Sequence, residues 1–408
     1  MSRSRRSPSR TTPRARRFAA AALAAAALTA VPALAPAANA NEGNPTVLGW
    51  GAGRTGQLGN GTLADSLSPS SVTSLFRGDV DQMSAGGTSS ADSFALARTD
   101  KTVKSWGHNS SGQLGNGGNT NQAVPTTVPR LNNIKDVAAG GKHALALDTG
   151  GQVYSWGDNA YGQLGNNRTG DSRTVPDRVQ GMPKVKQISA GCDFSLALLE
   201  NGKVYAWGRG IHGQLGNGTR ATSSVPRQVL GLENIVEIDA GCHHALALTA
   251  DDTVKSWGYN LYGQLGNSST KSATLPVDVD WIEGVSDIEA GAFHNYVKTS
   301  DSHVWGWGNN QYGQLLESDE AFDSNVSRTN RTAPVEIPRL EGVQHLAAGA
   351  RHGVAVTADE VFTWGHNGEG QLGNGTTVAR YESVKILDEG SAIKAVAVSL
   401  GGNTTYAY

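Results

Sequence analysis

Cysteine is nearly absent: Cys192 and Cys242 are the only two in 408 residues, and methionine occurs three times. Two thiols exclude a disulfide-dense scaffold and every multi-cysteine metal framework. Charged residues make up 17% of the chain and aromatic residues 6%. No segment sustains the apolar period of an amphipathic helix. No G-x-S-x-G, P-loop, H-E-x-x-H or Cys–His constellation occurs, so the common sequence marks of serine hydrolases, nucleotide-binding enzymes, zinc peptidases and cysteine nucleophiles are missing. Stretches such as Gly49-Trp50-Gly51-Ala52-Gly53 belong to a repeat rather than to a phosphate loop. Neither a cofactor nor a metal is expected, and the chain reads as a non-enzyme.

Long apolar runs are also missing, with one exception. Residues 18–35 are almost entirely Ala, Leu and Val; they follow seven Arg without an acid in residues 1–17 and precede Ala38-Asn39-Ala40. A positive stretch, an apolar stretch and a small-residue cleavage site are the order of a secretory signal peptide. Residues 1–40 are therefore expected to direct export, and the basic, Ala-rich form looks like a bacterial signal. Arg16-Arg17-Phe18 leaves the twin-arginine route open beside ordinary secretion. Thr29, Pro32 and Pro36 weaken the segment as a membrane span, so none is expected after cleavage. Without it the chain carries 27 basic and 36 acidic residues. An acidic chain is repelled by phosphate backbones, which argues against nucleic acid as a partner.

What is abundant is glycine, 52 residues beside 14 Pro, and it recurs in register. Trp-Gly occurs at Trp50, Trp106, Trp156, Trp207, Trp257, Trp307 and Trp364, at intervals of 56, 50, 51, 50, 50 and 57 residues. Six residues after each Trp begins G-Q-L-G, six times intact and once as Gly313-Gln314-Leu315-Leu316. An A-G pair precedes each later Trp-Gly, ending in the degenerate Leu400-Gly401. Within one unit, Val185–Ala190, Ser195–Leu198 and Lys203–Trp207 alternate, Glu200-Asn201-Gly202 is a hairpin turn, and Val175-Pro176 suits an edge strand. Four short strands per unit cannot stand alone, but sheets packed face to face around a ring bury both faces. The chain begins in mid-unit at Val47–Trp50 and finishes with the missing half at Leu400–Tyr408. The expected fold is therefore all-β: a seven-bladed β-propeller of four-stranded antiparallel blades over residues 41–408, closed by a blade shared between the two chain ends.

The run Ala139-Gly140-Gly141-Lys142-His143-Ala144-Leu145-Ala146-Leu147, with Val153–Gly157 and Gly162–Gly165, resembles the regulator of chromosome condensation repeat family. The resemblance covers roughly residues 46–408 and implies a seven-bladed propeller. The founding member is a nucleotide-exchange factor for the small GTPase Ran; other members are adaptor or regulatory modules, and a bacterial secreted branch with shorter repeats includes β-lactamase inhibitor proteins. Exchange activity is not expected of an exported, acidic chain. In the exchange factor, acidic residues in the turn after A-G contribute to activity, and Asp193 alone occupies a comparable slot here.

Several residues are candidates for chemistry. His143, His244, His294 and His352 share one slot and are expected to hydrogen-bond within their own blades rather than bind metal. Asp239 and Glu289 precede A-G in adjacent repeats and, with Asp193, form a candidate channel site for acid–base work. Cys192 and Cys242 share a slot in neighbouring repeats; a disulfide and two buried thiols both remain open, since adjacent inner strands can lie too far apart to be bridged. Two insertions depart from the repeat: Thr88–Ser93, and residues 316–332 with Glu317, Asp319, Glu320, Phe322, Asp323, Arg328 and Arg331. Loops on a rigid scaffold carry binding, so the second is a candidate partner contact. The function expected is a monomeric, secreted or cell-surface module that binds a protein partner as a scaffold or regulator. The alternatives are an inhibitor of a secreted or periplasmic enzyme such as a β-lactamase, and a hydrolase or lyase at the channel mouth.

Overall fold

The computed structural model describes residues 46–316, 329–338, 340–358, 360–387 and 393–408. Its strands form seven four-stranded antiparallel sheets, and the only helix among the described residues is the 3-10 turn Arg77–Asp79. No helix among the described residues is long and apolar enough to cross a membrane. The first blade runs from the axis outward through Val80–Gly86, Phe94–Thr99, Thr102–Gly107 and Gln122–Thr127. The second to sixth blades repeat this order, opening with the inner strands Ile134–Ala139, Val185–Ala190, Ile235–Ala240, Val285–Ala290 and His345–Ala348. The seventh is built from both ends of the chain. Val396–Val398 and Thr404–Ala407 are its inner strands, and Thr46–Gly51 pairs on through Leu48 to Ala407 and Trp50 to Thr405. The seven-bladed closure expected from the half-units is the one observed.

The second strand of each blade alternates small and large side chains, and in His244–Thr249 all six residues are buried. Such a strand is covered on both faces, so the core lies between blades. One cluster joins Leu196, Leu198, Leu215 and Val229 of the third blade to Ile235, Ile238 and Trp257 of the fourth. All seven repeat Trp side chains are fully buried. Each indole N–H donates to the main-chain carbonyl of the Gln in the preceding blade's G-Q-L-G, at 2.8–2.9 Å, and Trp50 to Gln371 closes the circle. A buried indole donor left unpaired would cost about 1–3 kcal/mol, so every blade is tied to its neighbour by the same bond. The Gln side chain holds that loop in shape: its Oε1 accepts the main-chain N–H two residues upstream in all seven copies, at 2.8–3.0 Å.

The second Gly of the motif is needed for the approach of the indole. At Gly115, with φ +65°, a Cβ would lie 2.6 Å from Trp156 Nε1. Leu316 holds the same slot with φ +50°. In the next blade a Cβ at Gly353 would stand 2.4 Å from the Trp364 ring.

Inner strands have one unpaired edge, and side chains of the preceding blade satisfy it. Val137 N–H donates to Gln82, Ala139 to Ser84, Ile188 to Asp136, Ile238 to Gln187, Ala240 to Ser189 and Ala290 to Asp239, at 2.7–3.1 Å. At the rim, Pro69, Pro125, Pro176, Pro226, Pro276 and Pro334 interrupt six of the outer strands, the edge placement expected for proline.

Candidate functional site

The inner strand ends at A-G and the third strand ends at Trp-Gly, so the A-G turn and the G-Q-L-G loop of every blade emerge on the same face. Three slots on that face vary from blade to blade while the stitching slots repeat: the second residue after A-G, the residue after Trp-Gly and the residue before G-Q-L-G. They hold Asp193, Arg209 and His212 in the third blade, and His243, Tyr259 and Tyr262 in the fourth. Around the axis they enclose a mouth of about 690 Å³, lined by Lys142, Asp158, Tyr161, Asp193, Arg209, His243, Phe293 and Arg351 among others.

One wall of this mouth is aromatic. His243 and Phe293 line it, and they join His212, Tyr259 and Tyr262 in a cluster with ring separations of 4.9–6.4 Å. The cations stand beside it. Arg209 lies over the Tyr161 ring at 4.7 Å and donates to Asp193 at 2.9 Å. Arg351 lies over Tyr312 at 5.2 Å. Lys142 faces Asp92 at 3.2 Å. Burial holds the Asp193 carboxyl above its usual range despite Arg209. Burial, with His212 and Arg209 nearby, lowers His243 to about 4, so it is neutral at physiological pH.

The amide nitrogen of the Gln marks where the repeat gives way. In most blades the Gln Nε2 finds an acceptor: Asp158 for Gln163, Asn309 for Gln314, His108 for Gln113, His366 for Gln371 and the Ser90 carbonyl for Gln57. Arg209 and Tyr259 fill the slot after Trp-Gly in the third and fourth blades, and neither offers an acceptor in that place. Gln214 Nε2 and Gln264 Nε2 are buried without a partner. Each such donor costs about 1–3 kcal/mol. The same two loops expose Ile211 and Leu261, the latter 60% accessible. Lost internal bonds and exposed apolar side chains thus coincide in one sector, the pattern expected where a fold serves a site rather than itself. The signal is visible in the aligned repeats as Arg209 and Tyr259, but it requires knowing which Gln atom reaches that slot.

Of the residues singled out by sequence, Asp193 lines this mouth. Cys192 and Cys242 form a disulfide beneath it, with Cα atoms 4.5 Å apart, and Cys192 N–H donates to the Cys242 carbonyl. The pair sits in the A-G turns, which converge closer than the strands that lead into them. Thr88–Ser93 folds around Asp92, whose carboxylate accepts from Thr88 N–H, Thr88 Oγ1 and Ser89 N–H at 2.6–2.8 Å. Burial pushes Asp92 up, but these bonds outweigh it and the group sits below its ordinary value. Glu317, Asp319, Glu320, Phe322, Asp323 and Arg328 lie outside the described residues. Arg331 opens the outer strand Arg331–Glu336 of the fifth blade, opposite Gly308.

Asp239 and Glu289 do not reach the mouth; they line a separate axial cavity of about 240 Å³ with Asp136 and Ser189. Asp239 is a stitching residue, accepting from Ser189 Oγ at 2.9 Å and from Ala290 N–H at 2.7 Å. Burial, then Asp239, Asp287 and Glu237, raise Glu289 well above the usual carboxylate range. Burial, then Asp287 and Asp239, raise Glu237 to about 8. Glu237 and Asp287 were missed by sequence reading, because their slot two residues upstream varies from Gln82 to His345.

The shared His slot requires a correction. The expected bond within each blade crosses to the next blade instead: His143 Nε2 meets Ser195 Oγ, His244 meets Asn295 Oδ1 and His352 meets Thr405 Oγ1, at 2.6–3.0 Å. These partners bond onward to the Gln carbonyls that anchor the tryptophans. After His294 the corresponding slot of the next blade holds Gly353, and neither His294 nitrogen has a partner. Burial lowers all four, His244 to about 4 and the others to about 3. No three His, Cys, Asp or Glu side chains converge as metal ligands among the described residues.

The described residues thus form a closed seven-bladed ring with an aromatic, cation-edged mouth on its A-G face. The family model described as RCC1-like domain matches residues 41–407, and the chain belongs to that family. It is similar to Prp20p from Saccharomyces cerevisiae, with a TM-score of 0.75 and 25% identity over 89% of this chain and 91% of that one. Human WBSCR16 shares the fold, with a TM-score of 0.75 and 23% identity over 88% of this chain and 98% of that one. The ultraviolet-B receptor UVR8 of Arabidopsis thaliana is 31% identical over 43% of this chain and 40% of its own length. The human E3 ubiquitin-protein ligase HERC2 is 34% identical over 42% of this chain and 4% of its own length. The match thus takes in less than half of either curated relative.

Proposed function

We propose that this chain is an exported, monomeric protein-interaction module that docks a protein partner on its A-G face, centred on the third and fourth blades. The observation that carries the reading is the coincidence there of two unpaired buried amides, Gln214 and Gln264, with the exposed Ile211 and Leu261. Exposed apolar side chains beside aromatic anchors are what a protein interface uses. The related Prp20p is described as binding Gsp1p and histones and has been solved with Kap60 bound, so a propeller of this kind serves as a docking body. Export rests on the order of residues 1–40, and the Cys192–Cys242 disulfide supports it, because such bonds persist in oxidising surroundings. Binding rather than turnover is assigned because Asp239 is committed to stitching adjacent blades.

The test is affinity capture from culture medium with the mature chain. A stoichiometric complex is expected with the unaltered chain and with Trp281→Asp, whose side chain is 82% exposed. Leu261→Asp should lose the complex at an unchanged unfolding midpoint. Equal capture by Leu261→Asp would refute this docking surface.

A further inference from the structure

The mouth has an imbalance of hydrogen-bonding groups that specifies what it takes. Its carboxylates are committed: Asp193 accepts from Arg209, Asp158 accepts from Gln163 Nε2 at 2.7 Å, and Asp92 is enclosed by Thr88, Ser89 and Lys142. One of its cations is not. Arg351 is exposed, its guanidinium makes no ion pair or hydrogen bond among the described residues, and it lies over the Tyr312 ring. Arg209, on the Tyr161 ring, already donates to Asp193, so Arg351 is the cation left to meet a ligand. A guanidinium stacked on a ring is fixed in place with its N–H edge outward, the geometry suited to a carboxylate. Arg351 is set this way. A ligand that completes such a site brings acceptors and an apolar group, and brings no cation.

We propose that the mouth between Arg209 and Arg351 binds an acidic peptide segment displayed by the protein partner, a carboxylate held by the guanidinium of Arg351 and a flanking apolar side chain seated on Phe293. The proposal rests on the protein-docking reading and adds its chemistry. A nucleic acid fits poorly, because the chain without residues 1–40 has 36 acidic against 27 basic residues. The volume of about 690 Å³ suits a short segment rather than a folded domain.

The experiment measures binding of two synthetic twelve-residue peptides to the mature chain by fluorescence anisotropy. One alternates Asp and Glu around a central Phe; the other has Asn and Gln in place of the acids. The acidic peptide should bind at least tenfold more tightly, and Arg351→Gln should remove most of that difference while leaving the unfolding midpoint in place. Raising salt from about 50 to 300 mM should weaken the acidic peptide alone. Equal affinity for the two peptides, or acidic-peptide binding indifferent to Arg351→Gln, overturns the proposal. If the captured partner survives Arg351→Gln and both peptides bind alike, docking on this face stands and acid recognition falls. If no partner is captured but the acidic peptide is discriminated, acid recognition stands and the partner reading falls.

Discussion

Glu237 lies on the inner strand of the fourth blade, and burial first, then Asp287 and Asp239, raise it to about 8. An unfolded Glu titrates near 4.3. Its folded value is the higher one, so the native chain holds a proton that the unfolded chain releases between these two values. Stability from this group is complete below about pH 4 and is lost as pH rises toward 8, at a limit of about 1.4 kcal/mol per unit. The urea midpoint should therefore fall from pH 5 to pH 8. Glu237→Gln, which keeps an acceptor for the neighbouring Ile288 N–H, should flatten the slope and raise stability at pH 8. An unchanged slope in that variant would place the proton elsewhere. At this scale the sequence was legible where one residue type recurs: the Trp and Gln of each motif. It was illegible where the meaning of a residue depends on its neighbour across the blade gap. His143 and His244 look alike in sequence, yet their partners, Ser195 and Asn295, lie in the next repeat and differ.

At the scale of elements, the strands were readable from alternation and the turns from their glycines, whereas the fate of the cysteines was not. Strand spacing argues against a bridge, but Cys192 and Cys242 belong to the turns, which lean over the axis; Gly141 N–H already reaches the Cys192 carbonyl of the next blade at 3.1 Å. The disulfide closes a loop of 50 residues between blades. Limiting the unfolded chain in this way is worth about 4 kcal/mol in the chain-entropy account. Cys192→Ser with Cys242→Ser, or reduction of the unaltered chain, should lower the unfolding midpoint accordingly and leave the ring folded. A midpoint that ignores dithiothreitol would show that the turns are already as constrained without the bond.

At the scale of the whole molecule, the two landmarks in strict alternation were enough to set blade number, blade order and closure, because a fixed period with split ends has a ring as its natural packing. The site was far less legible, since it is defined by departures from the repeat and by which atoms those departures strand. Closure makes its own prediction. Removing residues 396–408 takes two of the four strands from the seventh blade, along with Thr405 and Tyr406, which bond to Gln371 and Gln57. The truncated chain should lose its single cooperative unfolding transition by calorimetry; a full-length-like melt would mean that the ring does not depend on the shared blade.

The prolines at the rim bear on how this molecule behaves in company. Six outer strands carry a residue with no N–H to lend, and the seventh, Arg380–Leu387, carries Arg380, Glu382 and Lys385 instead. A foreign strand seeking to extend any of these sheets meets a missing donor or a charge at each approach. Crowded copies are thereby discouraged from knitting into fibrils along their circumference, and visitors are left with the flat ends of the wheel.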